Sequence, residues 1–347
     1  MRSFQRTDTL DPVPGIVVAV LRAIDLAAGA EARYADQLPQ LLEALREQAR
    51  IESITASSAI EGVTVDESRV AGLVSANPSR FRDRSEAEFA GYTAALDYLH
   101  QAEPGPVTIG LVLHLHRLLF SFCDGGGGHF KLDDNVVVDR HADGSKTTRF
   151  VPVSAAETEH YMCELVDRTN DALDEGVVHP LLITAAFGLD LLCIHPFADG
   201  NGRVTRLITA RLMQQAGYGV GRYVSVEQLI FNTKDDYYAT LAASTDGWFD
   251  DAAHSAWPWA QYFLDRVCEA YKRFGDRVAA GTAGRTKQNR IRDFVLLHAP
   301  TQFSISDIRR AVPGVSDNTI RLVLTELKAA GRVTVDGTGR GSMWSRV

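Results

Sequence analysis

Apolar residues recur at three- and four-residue spacing through most of the first 275 positions, a helical period. Ile16–Ile24 reads as helix after Pro12-Val13-Pro14-Gly15. Leu41, Leu42, Leu45, Ile51 and Ile54 mark a second amphipathic helix with Pro39 near its start. That helix runs into Ser57-Ser58-Ala59-Ile60-Glu61-Gly62, where glycine is a natural stop. Breaks at Asn77-Pro78-Ser79 and Pro104-Gly105-Pro106 bracket a helix over 86–100, and 109–120 forms the next, ended by four glycines at 125–128. Further helices are predicted over 157–174, 181–194, 203–215, 235–245 and 257–277.

Two regions break the period. Asn135–Val138 and Thr148–Val151 alternate around a turn at 142–145, which predicts a β-hairpin between Phe130 and Val153. After a linker at 279–284, helices are expected over 291–298, from Ser304, and from the cap Ser316, with Ile320, Val323, Leu324 and Leu327 on one face. Val333-Thr334-Val335, a glycine-rich turn and Met343-Trp344 then predict two strands. Three helices and a two-stranded wing describe a winged helix-turn-helix. The expected fold class is mainly α, with a small hairpin and this C-terminal module.

Composition places the chain among ordinary soluble globular proteins, with 45% hydrophobic and 23% charged residues over 347 positions. No apolar run is long enough for a membrane span, and the first residues lack a signal-peptide core, so a cytoplasmic protein is expected. The four cysteines, Cys123, Cys163, Cys193 and Cys268, form no C-x-x-C pair and read as small buried hydrophobes. Charge is uneven. Residues 285–347 hold eleven Lys and Arg against five Asp and Glu, while the whole chain carries −8. A basic tail domain on an acidic body suggests a nucleic-acid or protein partner for 285–347. Arg309, Arg310, Arg321, Arg332 and Arg340 are the candidates to face phosphates.

The densest chemistry lies at His195-Pro196-Phe197-Ala198-Asp199-Gly200-Asn201-Gly202-Arg203-Val204-Thr205-Arg206. Pro196 forces His195 out of helical geometry. The glycines let backbone N–H groups approach a ligand at a helix start, which makes an anion site. Arg203 and Arg206, three apart, can address one anion from one face. Asp199 offers a carboxylate to Mg²⁺, which is held by one or two carboxylates plus phosphate oxygens. His195 has the ordinary pKa of a general base at neutral pH. Base, metal ligand, phosphate cradle and cationic clamp make a phosphoryl- or nucleotidyl-transfer kit. A simple bend with turn residues would explain Gly-Asn-Gly alone, but not all twelve positions.

These twelve residues resemble the Fic (filamentation induced by cAMP) domain family, whose pattern H-P-F-x-(D/E)-G-N-G-R-x-x-R is matched at every fixed position. The resemblance implies a Fic-type helical core with the motif on a loop before a helix. It implies a protein adenylyltransferase that moves AMP from ATP to a Ser, Thr or Tyr hydroxyl. His195 would be the base and Asp199 the Mg²⁺ ligand. Gly200, Asn201, Gly202, Arg203, Val204, Thr205 and Arg206 would line the ATP site. Ser57, Glu61 and Gly62 match the family's inhibitory pattern (S/T)-x-x-x-E-(G/N), so Glu61 would pair with Arg206 and spoil the ATP pose. Asn232 and the pair Tyr237-Tyr238 stand where relatives line the adenosine pocket. The 130–153 hairpin would be the flap that holds a target protein by strand addition. Lys131 departs from the Arg usual there, with the charge kept.

The expected division is 1–104 with the inhibitory helix, 105–278 as the catalytic core and 285–347 as the winged helix. Resemblance extends to this whole arrangement. Other readings keep the same motif. One is a transcription regulator that senses nucleotide and binds DNA. Another is a deAMPylase. A homodimer is compatible with either. His114 and His116 lie in an apolar helix and read as packed or surface histidines, since no third metal ligand stands nearby.

Overall fold

The computed structural model describes residues 2–3, 12–34, 39–75, 80–102, 105–140, 145–249, 254–282, 286–299, 302–312, 314–337 and 342–346. The expected breaks at 77–79 and 104, the turn at 142–144, residues 283–284 of the expected linker and the wing tip with Arg340 lie outside the described residues.

The helices are α1 Gly15–Tyr34, α2 Pro39–Ile60, α3 Glu67–Val74, α4 Arg84–Gln101, α5 Ile109–Leu119, α6 Thr158–Glu175, α7 Pro180–Ile194, α8 Asn201–Gln215, α9 Val226–Phe231, α10 Lys234–Thr245 and α11 Trp257–Thr282. The short α3 and α9 carry too few apolar positions to show a period. Side-chain caps define them instead, with Asp66 accepting from Ser68 N and Ser225 from Gln228 N. The expected linker is corrected at 279–282, which continue α11.

The chain divides into two compact units, one of Met1–Ala28 with Leu45–Phe274, the other of Gly29–Ala44 with Gly275–Val347. In the first, α7 is apolar on all sides and almost wholly buried. It packs against α6, α8 and α10, so its C-terminal end is fixed from three directions. Pro180 at its first turn and His179 as its cap set where it begins. Asp190, mid-helix, is buried but accepts from Ser3 Oγ and Trp248 Nε1. Burial pushes its pKa up to about 6.

The hairpin forms as an antiparallel pair, β1 Val137–Arg140 with β2 Lys146–Phe150, bulged between Val137 and Val138. Both strands lie a residue or two closer to the turn than the alternation predicts.

The second unit holds α12 Lys287–Asp293 continued by a π-helical turn Phe294–His298, β3 Gln302–Phe303, α13 Ile305–Ala311, α14 Asp317–Ala329, β4 Val333–Asp336 and β5 Met343–Arg346. The sheet order is β3-β5-β4, all antiparallel. The short β3 adds a third strand to the two expected. Its core is Ile291, Val295, Phe303, Ile308, Ile320, Val323, Leu324, Leu327 and Val333, the face the sequence marks on α14 among them.

Candidate active site

The end of α7 places His195. Its backbone is left-handed at φ 50°, and no other non-glycine among the described residues has positive φ. Its N–H still bonds Leu191 O at 2.9 Å, so the residue closes the helix and turns the chain sharply. The ring Nδ1 lies 3.2 Å from Leu192 O. A carbonyl only accepts, so Nδ1 carries the proton and the Nε2 lone pair is left for chemistry. Burial pushes the pKa down to about 4, and the neighbouring Lys131 charge works in the same direction. His195 is therefore neutral, and able to take a proton, across the physiological range.

The loop beyond it is held by side chains at both ends. Asn201 Oδ1 accepts from Phe197 N at 2.9 Å, and its Nδ2 donates to Phe197 O at 2.8 Å. Asn201 thus ties the loop into a ring with its side chain, and offers a ligand its backbone. Phe197 is fully buried and stacks on His116, with centroids 3.8 Å apart and planes 7° from parallel. His116 Nδ1 accepts from Gly128 N, so its Nε2 donates to Asp199 O at 3.2 Å. Burial lowers its pKa to about 4, which keeps the ring neutral as both bonds require. His116 is a brace for the motif. The sequence shows it only as a polar residue in the apolar helix α5.

Lys131 is a second brace. Its Nζ donates to Asn135 Oδ1, Val153 O and Ile194 O, and its N–H to Pro196 O. Three acceptors satisfy all three ammonium protons. Burial lowers its pKa to about 8. Asn135 Nδ2 donates on to Phe197 O at 3.0 Å. The foot of the hairpin and the motif loop are thereby one hydrogen-bonded body.

Gly200 caps α8 with φ 81°. A Cβ there would come within 2.8 Å of Leu119 Cδ2 and 2.9 Å of Phe120 Cε2, so the packing beneath also demands glycine. Asn201, Gly202 and Arg203 begin the helix, where backbone N–H groups have no partner one turn back. Val204 N–H already bonds Gly200 O, its side chain is in the core, and Thr205 Oγ1 donates to Asn201 O. Those two residues line the site as helix backbone, with no side chain free for a ligand.

The two arginines are buried and each meets a carboxylate. Arg203 NH1 donates to Glu88 Oε2 at 2.6 Å. Arg206 NH2 lies 2.9 Å from Glu61 Oε1, while its Nε donates to Ser57 Oγ at 2.9 Å and NH2 to Ser57 O. Burial works most strongly against the Arg206 charge, but Glu61, Tyr237 and Tyr92 together outweigh it and the pKa is raised. Arg203 Nε and Arg206 NH1 are buried and make no hydrogen bond to a described residue. An orphaned buried donor costs about 1–3 kcal/mol, more on a charged group, so two of them beside a helix N-terminus suit an anion.

Glu61 also crowds the cradle. A Cβ on Gly202 would fall 2.0 Å from its Oε1, so the absent side chain is where the carboxylate lies. Tyr238 on α10 donates from its hydroxyl to Ile60 O at 3.2 Å, and Arg149 of β2 sits 4.8 Å over its ring. Tyr237 is buried against Tyr238, Trp259 and Tyr262, and burial pushes its pKa up to about 12. Asn232 is exposed at the end of α9, where its Oδ1 accepts from Gln228. Among the described residues, its hydrogen bonds stay within α9 and do not reach the motif.

Asp199 is 56% exposed, with Oδ1 accepting from Gly200 N. No group of three His, Cys, Asp or Glu gathers among the described residues, so a cation here would rely on Asp199 and a ligand's own oxygens. That fits Mg²⁺, which takes few protein carboxylates. Of the cysteines only Cys193 is buried. Cys163 is exposed and Cys123 and Cys268 are intermediate, so the expectation of four buried thiols is corrected. Helical amphipathicity leaves a cysteine free to face either side. In the second unit Arg309 is tied to Asp317, which occupies one of the expected phosphate contacts. No helix of the described residues is long and apolar enough to cross a membrane.

The motif thus places a histidine beyond a buried helix and glycines at the next N-terminus, with two arginines behind them. Residues 106–213 match the model of the Fic/DOC family, and this segment is a Fic/DOC domain. Among curated relatives, the chain is 27% identical over 168 residues to protein adenylyltransferase fic-1 of Caenorhabditis elegans. It is 31% identical over 134 residues to protein adenylyltransferase Fic of Drosophila willistoni. These matches take in 47% and 38% of the chain, but only 30% and 25% of the relatives. A solved Fic family protein from Desulfovibrio desulfuricans is similar along 97% of both chains, with TM-score 0.64 and 21% identity. The C. elegans Fic-1 structure gives 0.61 at 20% identity, over 77% of this chain and 74% of that one. At such identities the structures establish a shared fold.

Proposed function

We propose that the protein is an adenylyltransferase that moves AMP from ATP to a Ser, Thr or Tyr hydroxyl of a target protein, itself included, and that Glu61 holds it off. The observation that carries this reading is the pair of buried N–H groups on Arg203 and Arg206, beside the open α8 N-terminus, that have no hydrogen-bond partner among the described residues. They await an extended polyanion. The activity by which the curated relatives are named supports the same chemistry.

His195 Nε2 takes the proton of the target hydroxyl. The hydroxyl oxygen bonds to the α-phosphorus, and the bond from that phosphorus to the bridging oxygen breaks. Pyrophosphate leaves. The N–H groups of Asn201, Gly202 and Arg203 hold the phosphates, and Arg203 and Arg206 balance the charge on the leaving group. Asp199 would hold Mg²⁺, which neutralises phosphate oxygens. Glu61 occupies one face of Arg206 and the space above Gly202, so a triphosphate cannot seat fully while it stays. The free edges of the β1–β2 ribbon suit a target segment added as a third strand, and Asn232 serves the adenosine end.

We further read residues 1–104 as the region carrying the inhibitory helix, 105–278 as the catalytic core and 285–347 as a winged helix. Incubation with ATP, Mg²⁺ and cell extract, followed by mass spectrometry, tests the activity. AMP adducts should be abundant with Glu61→Gly, sparse with wild type and absent with His195→Ala. AMP release from an already modified protein, without forward transfer, would replace this reading by the reverse reaction.

A further inference from the structure

Four charged side chains around the motif close into a ring. Glu88 accepts from Arg203 NH1 at 2.6 Å and from Arg84 Nε at 2.5 Å. Arg84 NH2 reaches Asp199 Oδ2 at 3.2 Å, and Asp199 Oδ1 stands 3.5 Å from Arg203 NH2. Signs alternate around the ring. Exposure divides it into two halves. The Arg203 and Glu88 side chains are 1% and 5% exposed, while Arg84 and Asp199 are 69% and 56% exposed.

We propose that Glu88 is a positioning residue for nucleotide binding, fixing Arg203 for the phosphates and retaining Arg84 as an exchangeable cation on Asp199. The inference rests on the nucleotide reading above. Arg203 has almost no water to balance its charge, and its guanidinium lies 5.5 Å over the Phe120 ring. Glu88 supplies the balancing charge and, by gripping NH1, sets where the free Nε points. Arg84 and Glu88 are one helical turn apart on α4, so their pairing needs no other element. The exposed half of the ring is the half that must open. Asp199 Oδ2 cannot serve Arg84 and a divalent cation together. Once released from Asp199, Arg84 stays tethered to Glu88, within reach of the incoming phosphates.

The test uses the full chain carrying Glu61→Gly, with ATP binding followed by calorimetry at fixed Mg²⁺. Glu88→Gln should weaken ATP binding about tenfold, the loss expected when a charge-assisted contact is removed. KM for ATP should rise by a similar factor while kcat stays within about threefold, whereas a structural role alone would lower only the melting temperature. Arg84→Ala, at an exposed position, should lower the Mg²⁺ concentration that half-saturates binding of a non-hydrolysable ATP analogue by about threefold. Glu88→Gln protein that binds ATP within about twofold of its parent overturns the proposal. If Glu88→Gln does not fold, an unchanged Mg²⁺ midpoint in Arg84→Ala overturns it instead. A Glu61→Gly parent that binds no ATP brings down the nucleotide reading, and this inference with it.

Discussion

Arg203 and Arg206 stand one turn apart on α8, yet their carboxylate partners differ in kind. Glu88 reaches Arg203 from the second turn of the packed helix α4, and its side chain is 5% exposed. Glu61 reaches Arg206 from the turn that follows α2, and its side chain is 29% exposed. Gly62 follows directly with φ 80°, so the chain can leave the helix there. Ser57 holds Arg206 independently through Nε and NH2. Arg206 therefore keeps partners when Glu61 withdraws, whereas Arg203 has, among the described residues, no comparable second anchor beyond the long contact to Asp199. The same pairing chemistry is buried within a helix at Arg203 and part-exposed beyond a helix end at Arg206.

The comparison presumes a live base, and removing it should have the largest effect. His195→Ala should lower AMP transfer by about 10²–10⁴-fold while ATP binding, read by calorimetry, is kept. Next comes the fixed pair. Glu88→Ala leaves a buried guanidinium uncompensated and should destabilise the protein by about 3–5 kcal/mol in chemical denaturation. Glu61→Gly should cost far less stability, since its partner keeps Ser57 and the carboxylate is part-exposed. Similar losses at both sites would erase the distinction. Ser57→Ala removes one of the contacts that steady Arg206, about 1 kcal/mol, and should change basal self-modification by about fivefold at most.

The pH profile sharpens the same picture. The base works when neutral, so activity is present above the His195 pKa and lost as pH falls through it. With that pKa pushed down to about 4 by burial, kcat/KM of Glu61→Gly protein should be flat across neutral pH. An acid limb at the ordinary histidine value, about 6.5, would mean that the ring is solvated in the working enzyme.

Most helices were legible because their apolar positions repeat strongly, as in α5, α11 and α14. The motif was legible because glycine, proline and charged residues leave so few ways to build a turn. Glu61 and Arg206 do meet, as the resemblance implied. What the sequence hid were partners separated by long stretches of chain. Glu88 shows only as an acid among Phe89 and Tyr92, and its link to Arg203 spans 115 residues. His116 and Lys131 look like ordinary polar residues until the fold sets them under the loop. Asn201 stands at the start of α8 with its backbone, while its side chain closes the loop, a role the motif does not announce. The bulge in the hairpin leaves no compositional trace.

The central claim is that Glu61 withholds Arg206 and the Gly202 cradle from ATP. Self-modification with ATP labelled at the α-phosphate, in purified full-length wild type and Glu61→Gly, tests it most directly. The account predicts a rise of about ten- to a hundredfold in label transferred by Glu61→Gly, abolished when His195→Ala is added. Folded Glu61→Gly protein that labels at or below the wild-type rate would contradict it.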